Sequence, residues 1–364
     1  MHPIILILLS LFVLSVLVVV HEFGHFIAAK LIGVWPEEFG VGLPPRAWGK
    51  KIGQTIFSIN WLPLGGFVRL HGESLDSVIT KPEKAFVNAS KLKRAFVALA
   101  GIIMNFWFAW VCFTIMFLIT GIPRGVEVLE VEKDSPAEEV GIQAKDKIFF
   151  INGNEIIGTE EFLLGVRSNK GKIVNIEVLR GEEKLNFNVP VRTEVKEGQG
   201  FTGIVFDVNP VDVEKPNPVN VLIYGARETV KWTRLTIEAL ATIISDLGGG
   251  RVPQGLAGPF GVTLTLAEVI RYGIVALLSF TGIISVNLAL VNIIPFPPLD
   301  GSRVLLLGVE AIVGKRNVQK FEGRLLGAGM AVLLLLIAAL TLSEIPKLLS
   351  AGSISGFVNS LFIQ

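Results

Sequence analysis

Residues 16–30 read VLVVVHEFGHFIAAK, and the reading of this stretch decides the fold. Two histidines and a glutamate close an apolar run that begins at Ile4. Such groups are expensive inside a spanning helix and are kept there where function uses them. The run from Ile4 to Val20 outlasts the apolar core of a signal peptide, about 7–15 residues. No lysine or arginine precedes it, and no small-residue cleavage site follows. It reads as a retained transmembrane helix.

The chain has 364 residues, 51% hydrophobic and 18% charged, with a mean hydropathy of +0.60. Soluble domains carry about 25% charge, so the composition points to a membrane. A net charge of +1 gives no electrostatic case for nucleic acid. The single cysteine, Cys112, lies in an apolar run, which excludes a disulfide framework and a cysteine-based zinc knuckle. Of four histidines, His2, His21, His25 and His71, two stand four residues apart.

Four segments are long and apolar enough to cross about 30 Å of hydrocarbon: 4–29, 95–119, 274–294 and 325–342. The loop between the first two is rich in lysine and arginine, and so is the loop between the last two. Basic loops face the cytoplasm, which places both termini and residues 122–272 outside. Within the first loop, KIGQTIFSINWLPLGGFVRL at 51–70 suggests strands punctuated by Pro63, Gly65 and Gly66. It is either an ordinary amphipathic hairpin or one that dips into the membrane with its backbone shielded.

The outer segment carries the signals of a small α+β domain over 122–206. Residues 126–131 suit a strand, and Ser135-Pro136-Ala137-Glu138 is a capping box closed at Gly141. Asn152-Gly153 marks a hairpin, residues 160–167 suit a helix, and a last hairpin turns at Arg180-Gly181. The pattern SPAEEVGIQAKDKIFFINGNEI resembles a single PDZ domain of the bacterial type. Such domains bind extended peptides at a sheet edge. Residues 207–220, with three prolines, read as a linker. Residues 221–247 read as an amphipathic helix on the outer surface, and 248–261 as a glycine-rich connection; 207–271 is thus a joining region.

On a helix, His21 and His25 share one face, one turn apart. With Glu22 between them they form H-E-x-x-H, the pattern in which two histidines hold zinc and the glutamate is the general base. A catalytic zinc takes a third protein ligand and keeps one position open. His71, in the loop, and His2, at the outer terminus, are poorly placed for it. Asp300 follows the third span at the cytoplasmic end, the same depth as the histidine pair, after Pro295, Pro297 and Pro298 have broken the helix. Alternatively, Asp300-Gly301 is a turn at a membrane exit.

Together, HEFGH in the first span, GGFVRL at 65–70, the PDZ-like segment and Asn292-x-x-Pro295-x-Pro297-x-Leu299-Asp300-Gly301 resemble the site-2 protease family, in its bacterial RseP/RasP-type branch. The resemblance covers nearly the whole chain. It implies a polytopic α-helical membrane protein with four transmembrane helices, a cytoplasmic-side membrane-associated β-hairpin and an inserted extracytoplasmic PDZ domain. The catalytic core is then split between residues 1–121 and 272–364. It implies one zinc ion held by His21, His25 and Asp300, with Glu22 as the base. Asn287 and Asn292, with Pro295 and Pro297, would bind the substrate backbone. The implied partners are the lipid bilayer, single-pass transmembrane substrates such as anti-sigma factors or remnant signal peptides, and a peptide at the PDZ domain. The implied location is the bacterial inner membrane. A single PDZ domain departs from the tandem pair of RseP-type members. Two rivals are a membrane-anchored scaffold without chemistry and a metal transporter. A scaffold has no use for Glu22, and the polar residues gather at one depth instead of lining a path across.

Overall fold

The computed structural model describes residues 2–73, 78–195, 199–251 and 257–362. Helix α1 (Pro3–Leu31) is almost wholly apolar as far as Val20, carries His21, Glu22 and His25 beyond it, and stops where Gly33 turns to φ +84°. Strands β1 (Pro36–Ile52) and β2 (Thr55–Leu70) follow, then two short 3-10 turns and α2 (Lys91–Thr120). Next come β3 (Ile122–Val131), α3 (Pro136–Glu139), β4 (Lys147–Ile151), β5 (Asn154–Glu155), α4 (Thr159–Arg167), β6 (Ile173–Arg180), β7 (Glu183–Pro190) and β8 (Ile204–Glu214). The chain ends in α5 (Pro218–Gly248), α6 (Pro259–Arg271), α7 (Ile274–Ile293), α8 (Asp300–Val313), α9 (Lys315–Ala351) and α10 (Ile354–Phe362). Helices α1, α2, α7 and the Phe321–Ala351 part of α9 are long and apolar enough to cross a membrane.

The chain divides into two compact units, residues 1–115 with 225–364, and residues 116–224. In the first, β1 and β2 form a ribbon whose turn is Gly53-Gln54, with Gly53 at φ +62°. The sequence suggested breaks at Pro63–Gly66; instead one strand runs through them, and the hairpin starts as early as Pro36. Both strands bend, so Glu38 to Val41 lie opposite two stretches of β2: Ile56 to Ile59 on one side, and Arg69 to Gly66 on the other. Residues 66–70 therefore form an edge of the ribbon. Phe39 and Phe57 of the ribbon pack edge-on against Phe26 of α1 at 5.4 and 5.6 Å, which fastens the ribbon to the helix carrying HEFGH. Gly66 makes the close approach possible, since a Cβ there would lie 3.2 Å from Val19 and 3.0 Å from the Gly40 carbonyl.

Helices α6, α8 and α10 were not anticipated. Helix α6 mixes Thr263, Thr265 and Glu268 among apolar residues, and most of its circumference is buried. It therefore has neither the charge-free length of a span nor a polar face. Residues 252–256 of the expected glycine-rich connection lie outside the described residues.

The second unit is a sheet in the order β7-β6-β4-β3-β8, with β5 paired to β4. Its core is Val126, Val128, Ile148, Ile151, Phe162 and Ile176, all nearly inaccessible. Ser135 Oγ accepts the Glu138 N–H at 3.2 Å, and the Glu138 carboxylate reaches back to the Asp134 N–H at 2.6 Å. Asn152 and Gly153 both take positive φ at the β4–β5 turn. The expected linker from residue 207 is corrected: Ile204–Glu214 is strand β8, pairing from Ile204 opposite Val131 to Glu214 opposite Ile122. Pro210 suggested irregular chain, yet β8 is an edge strand, where proline is tolerated.

Candidate metal centre

His21 and His25 come from α1, one turn apart, and Asp300 from the first position of α8. Helix α7 ends at Ile293, two residues before Pro295, and the chain turns through 294–299 before α8 begins. This turn is tight. A Cβ on Gly301 would lie 2.1 Å from the Ile293 carbonyl oxygen and 2.6 Å from that of Ile294, so glycine is required after Asp300.

The three side chains converge. His21 Nε2 lies 2.9 Å from Asp300 Oδ2, His25 Nε2 lies 3.2 Å from the same oxygen, and the two Nε2 atoms are 3.1 Å apart. All three ligand atoms lie within 4.8 Å of one another. Two imidazole nitrogens and a carboxylate oxygen suit zinc and leave the fourth position open. Space is provided by Gly101 of α2, where a Cβ would sit 2.5 Å from His25 Nε2 and 2.7 Å from His21 Nε2.

Glu22 lines the same cavity, of about 430 Å³, beside the three donors. Its Oε2 accepts the Val68 N–H at 3.1 Å, a donor on the ribbon edge that points away from β1. The edge thus meets the H-E-x-x-H helix at the glutamate itself. Asn292, Pro298 and Arg303 also line the cavity, and Arg303 is paired with Glu73 at 2.5 Å. Asn287 is elsewhere: it is exposed on α7, and its Oδ1 accepts the Thr236 hydroxyl at 2.6 Å. Neither Pro295 nor Pro297 lines the cavity.

The sequence reading missed what α2 contributes. Asn105 Nδ2 lies 3.0 Å from His21 Nδ1, and the Val97 carbonyl oxygen lies 2.7 Å from His25 Nδ1. One signal was available: a lone asparagine in an apolar spanning segment is as unusual as a histidine.

Four helices fit to cross a bilayer, with a part-buried His-His-Asp cluster beside a glutamate, point to a membrane metalloprotease. The chain belongs to peptidase family M50, the site-2 proteases, whose family model matches residues 9–336. It is a zinc metalloprotease, with zinc as its cofactor. It is 27% identical over 415 residues to the zinc metalloprotease RasP of Oceanobacillus iheyensis, covering 92% of this chain and 97% of that one. It is 26% identical over 416 residues to the regulator of sigma-W protease RasP of Bacillus subtilis, with 92% and 97% covered. A Clostridium perfringens protein is 33% identical over 341 residues, covering 93% of this chain and 98% of its own length.

Proposed function

We propose that the chain hydrolyses peptide bonds within the transmembrane segments of other membrane proteins, with His21, His25 and Asp300 as the zinc ligands and Glu22 as the general base. The observation that carries this reading is the meeting of three donor atoms within 4.8 Å beside Glu22, in a cavity bordered by a strand edge. Zinc bound there would lower the pKa of its water to about 7 and polarise a carbonyl. Glu22, held by the Val68 N–H, takes the proton of the attacking water and delivers it to the departing amine.

A helical substrate satisfies its own backbone hydrogen bonds, so its carbonyls are closed to attack until it unwinds. Residues 66–70, at the outer edge of the ribbon, can accept the unwound segment as an added strand, with the Val68 and Leu70 N–H groups already taken by Glu22 and Glu73. Asn292, on the cavity wall, can hold one more backbone group. Asn287 can join only if Thr236 releases it.

The unit 116–224 serves as a PDZ domain that admits substrates already trimmed by another protease, either by size or by binding the new terminus. The distribution of lysine and arginine supports an inner-membrane protein with both termini and this domain outside, and with the active site near the cytoplasm. Anti-sigma factors and remnant signal peptides are the substrate classes this scheme suits.

The test is cleavage of a tagged single-pass substrate by purified protein in detergent, comparing wild type with Glu22→Gln and measuring zinc in both. Loss of cleavage by about 10²–10⁴-fold with zinc retained is expected for a missing general base. Equal cleavage by both proteins would remove Glu22 from the mechanism, and no zinc in either would remove the ligand set.

A further inference from the structure

Helix α2 meets both histidines with polar groups that the reaction scheme leaves unused. Val97, Gly101 and Asn105 are spaced four apart and so lie along one face of the helix. Val97 O faces His25 Nδ1, Asn105 faces His21 Nδ1, and Gly101 fits between them against both rings. A carbonyl oxygen can only accept, so His25 Nδ1 carries the proton and its Nε2 presents a lone pair. Asn105 can offer either end of its amide. With Nδ2 toward the ring, the proton is driven onto His21 Nε2, which then cannot hold a cation. With Oδ1 toward the ring, Nδ1–H donates and Nε2 is free.

Nothing commits the amide oxygen elsewhere. Asn105 is 0% exposed, and with Nδ2 toward His21 its Oδ1 is buried without a hydrogen-bond partner among the described residues, so turning the amide breaks no bond of the oxygen. A buried, half-satisfied amide is costly in an apolar helix unless it has work to do. Its place is fixed independently, because the Ser285 hydroxyl of α7 donates to the Asn105 backbone oxygen at 2.8 Å.

We propose that Asn105 is the positioning residue of the metal centre: its Oδ1 accepts the His21 Nδ1 proton and so sets the tautomer and ring orientation that aim Nε2 at the cation. This rests on the ligand assignment above. The two histidines are then locked by different means. His25 is held by a backbone carbonyl that no substitution removes, whereas His21 depends on one side chain.

The experiment compares zinc affinity, by chelator competition, for full-length wild type, Asn105→Leu and Asn105→Asp. Visible absorption of the cobalt-substituted forms and melting of the chelated proteins are recorded in parallel. Leucine fills a similar volume without an acceptor; aspartate keeps the acceptor. Losing a partner behind a metal ligand weakens binding about 10–100-fold, so Asn105→Leu should fall by that factor, with an altered cobalt spectrum and unchanged melting of the chelated protein. Asn105→Asp should stay within a few-fold of wild type. Wild-type affinity in Asn105→Leu, or equal weakening in both variants, overturns the proposal. Failure of wild type to bind zinc overturns the ligand assignment, and this proposal with it.

Discussion

The Glu344 carboxylate, inside helix α9, accepts the backbone N–H groups of Gly258 and Gly261 at 2.6 and 3.0 Å. The first turn of a helix leaves its N–H groups without partners, and a negative charge there is favoured. Here a residue 1% exposed supplies both. This gives the Gly258-Pro259-Phe260-Gly261 stretch a physical reading. A Cβ on Gly261 would lie 2.4 Å from Glu344 Oε1, and one on Gly258 would lie 3.2 Å from Oε2. Leaving a buried donor unpaired costs about 1–3 kcal/mol. Glu344→Ala should therefore destabilise the protein by roughly 2–6 kcal/mol in detergent melts, and Glu344→Gln by less, since its remaining oxygen still accepts. A Glu344→Ala protein that melts with wild type would contradict this capping role.

Gly101→Ala should separate metal binding from stability. Alanine is a better helix former than glycine by about 1 kcal/mol, yet its methyl would occupy the space between the two Nε2 atoms. Zinc content and cleavage should both collapse, while the chelated protein melts close to wild type. Gly24→Ala is the contrast. Its Cβ would lie 2.4 Å from the Ala100 carbonyl oxygen, a backbone atom that cannot turn aside, so this variant should lose stability first.

Glu38 makes the ribbon acid-sensitive. Burial alone pushes its pKa up, but the guanidinium groups of Arg46 and Arg69, at 2.5 and 2.8 Å, draw it below the usual carboxylate range. A depressed folded pKa contributes stability above the unfolded value of about 4.3, and that stability is lost as pH falls through the folded value. Glu38→Gln should accordingly melt below wild type at pH 7, and the gap should narrow as the pH is lowered past 4. A gap of constant size from pH 7 to pH 3 would show that the charge on Glu38 is not what matters.

How far the sequence could be read follows from how local each signal is. H-E-x-x-H lies on one helix, and a four-residue spacing suffices to place both imidazoles together. Asp300 could be paired with them because two separate spans end at the same depth. Asn105 and Val97 were not recoverable in this way. Which face of α2 turns toward α1 depends on Gly24 and Gly101 allowing close approach, a relation across 77 residues. The breaks expected in the ribbon failed for a similar reason. Pro63 and Gly65 look like punctuation in isolation, but the residues on either side pair with β1, Leu62 with Leu43 and Gly66 with Val41. Strand β8 was lost to Pro210, because proline, excluded from a central strand, is tolerated in an edge strand.

Helix α8 carries Asp300 at its start and Glu310 near its end, and Glu310 ties it to α2 through Arg94 at 2.5 Å. Both side chains are nearly inaccessible, 10% exposed for Arg94 and 7% for Glu310. Removing one partner of a buried pair strands the other charge and costs about 3–5 kcal/mol, whereas replacing both with apolar groups is often neutral. Arg94 is the more vulnerable partner, because its Nε already has no hydrogen-bond partner among the described residues. Glu310→Leu should therefore destabilise by about 3–5 kcal/mol and weaken zinc binding, since α8 would no longer be held where Asp300 meets the histidines. The double variant Arg94→Met with Glu310→Leu should recover most of the stability. Metal affinity in that double variant then separates two roles of the pair: recovery means that packing alone seats α8, and continued weakness means that the ion pair sets its angle. A single Glu310→Leu variant as stable as wild type would show that the pair is dispensable to both.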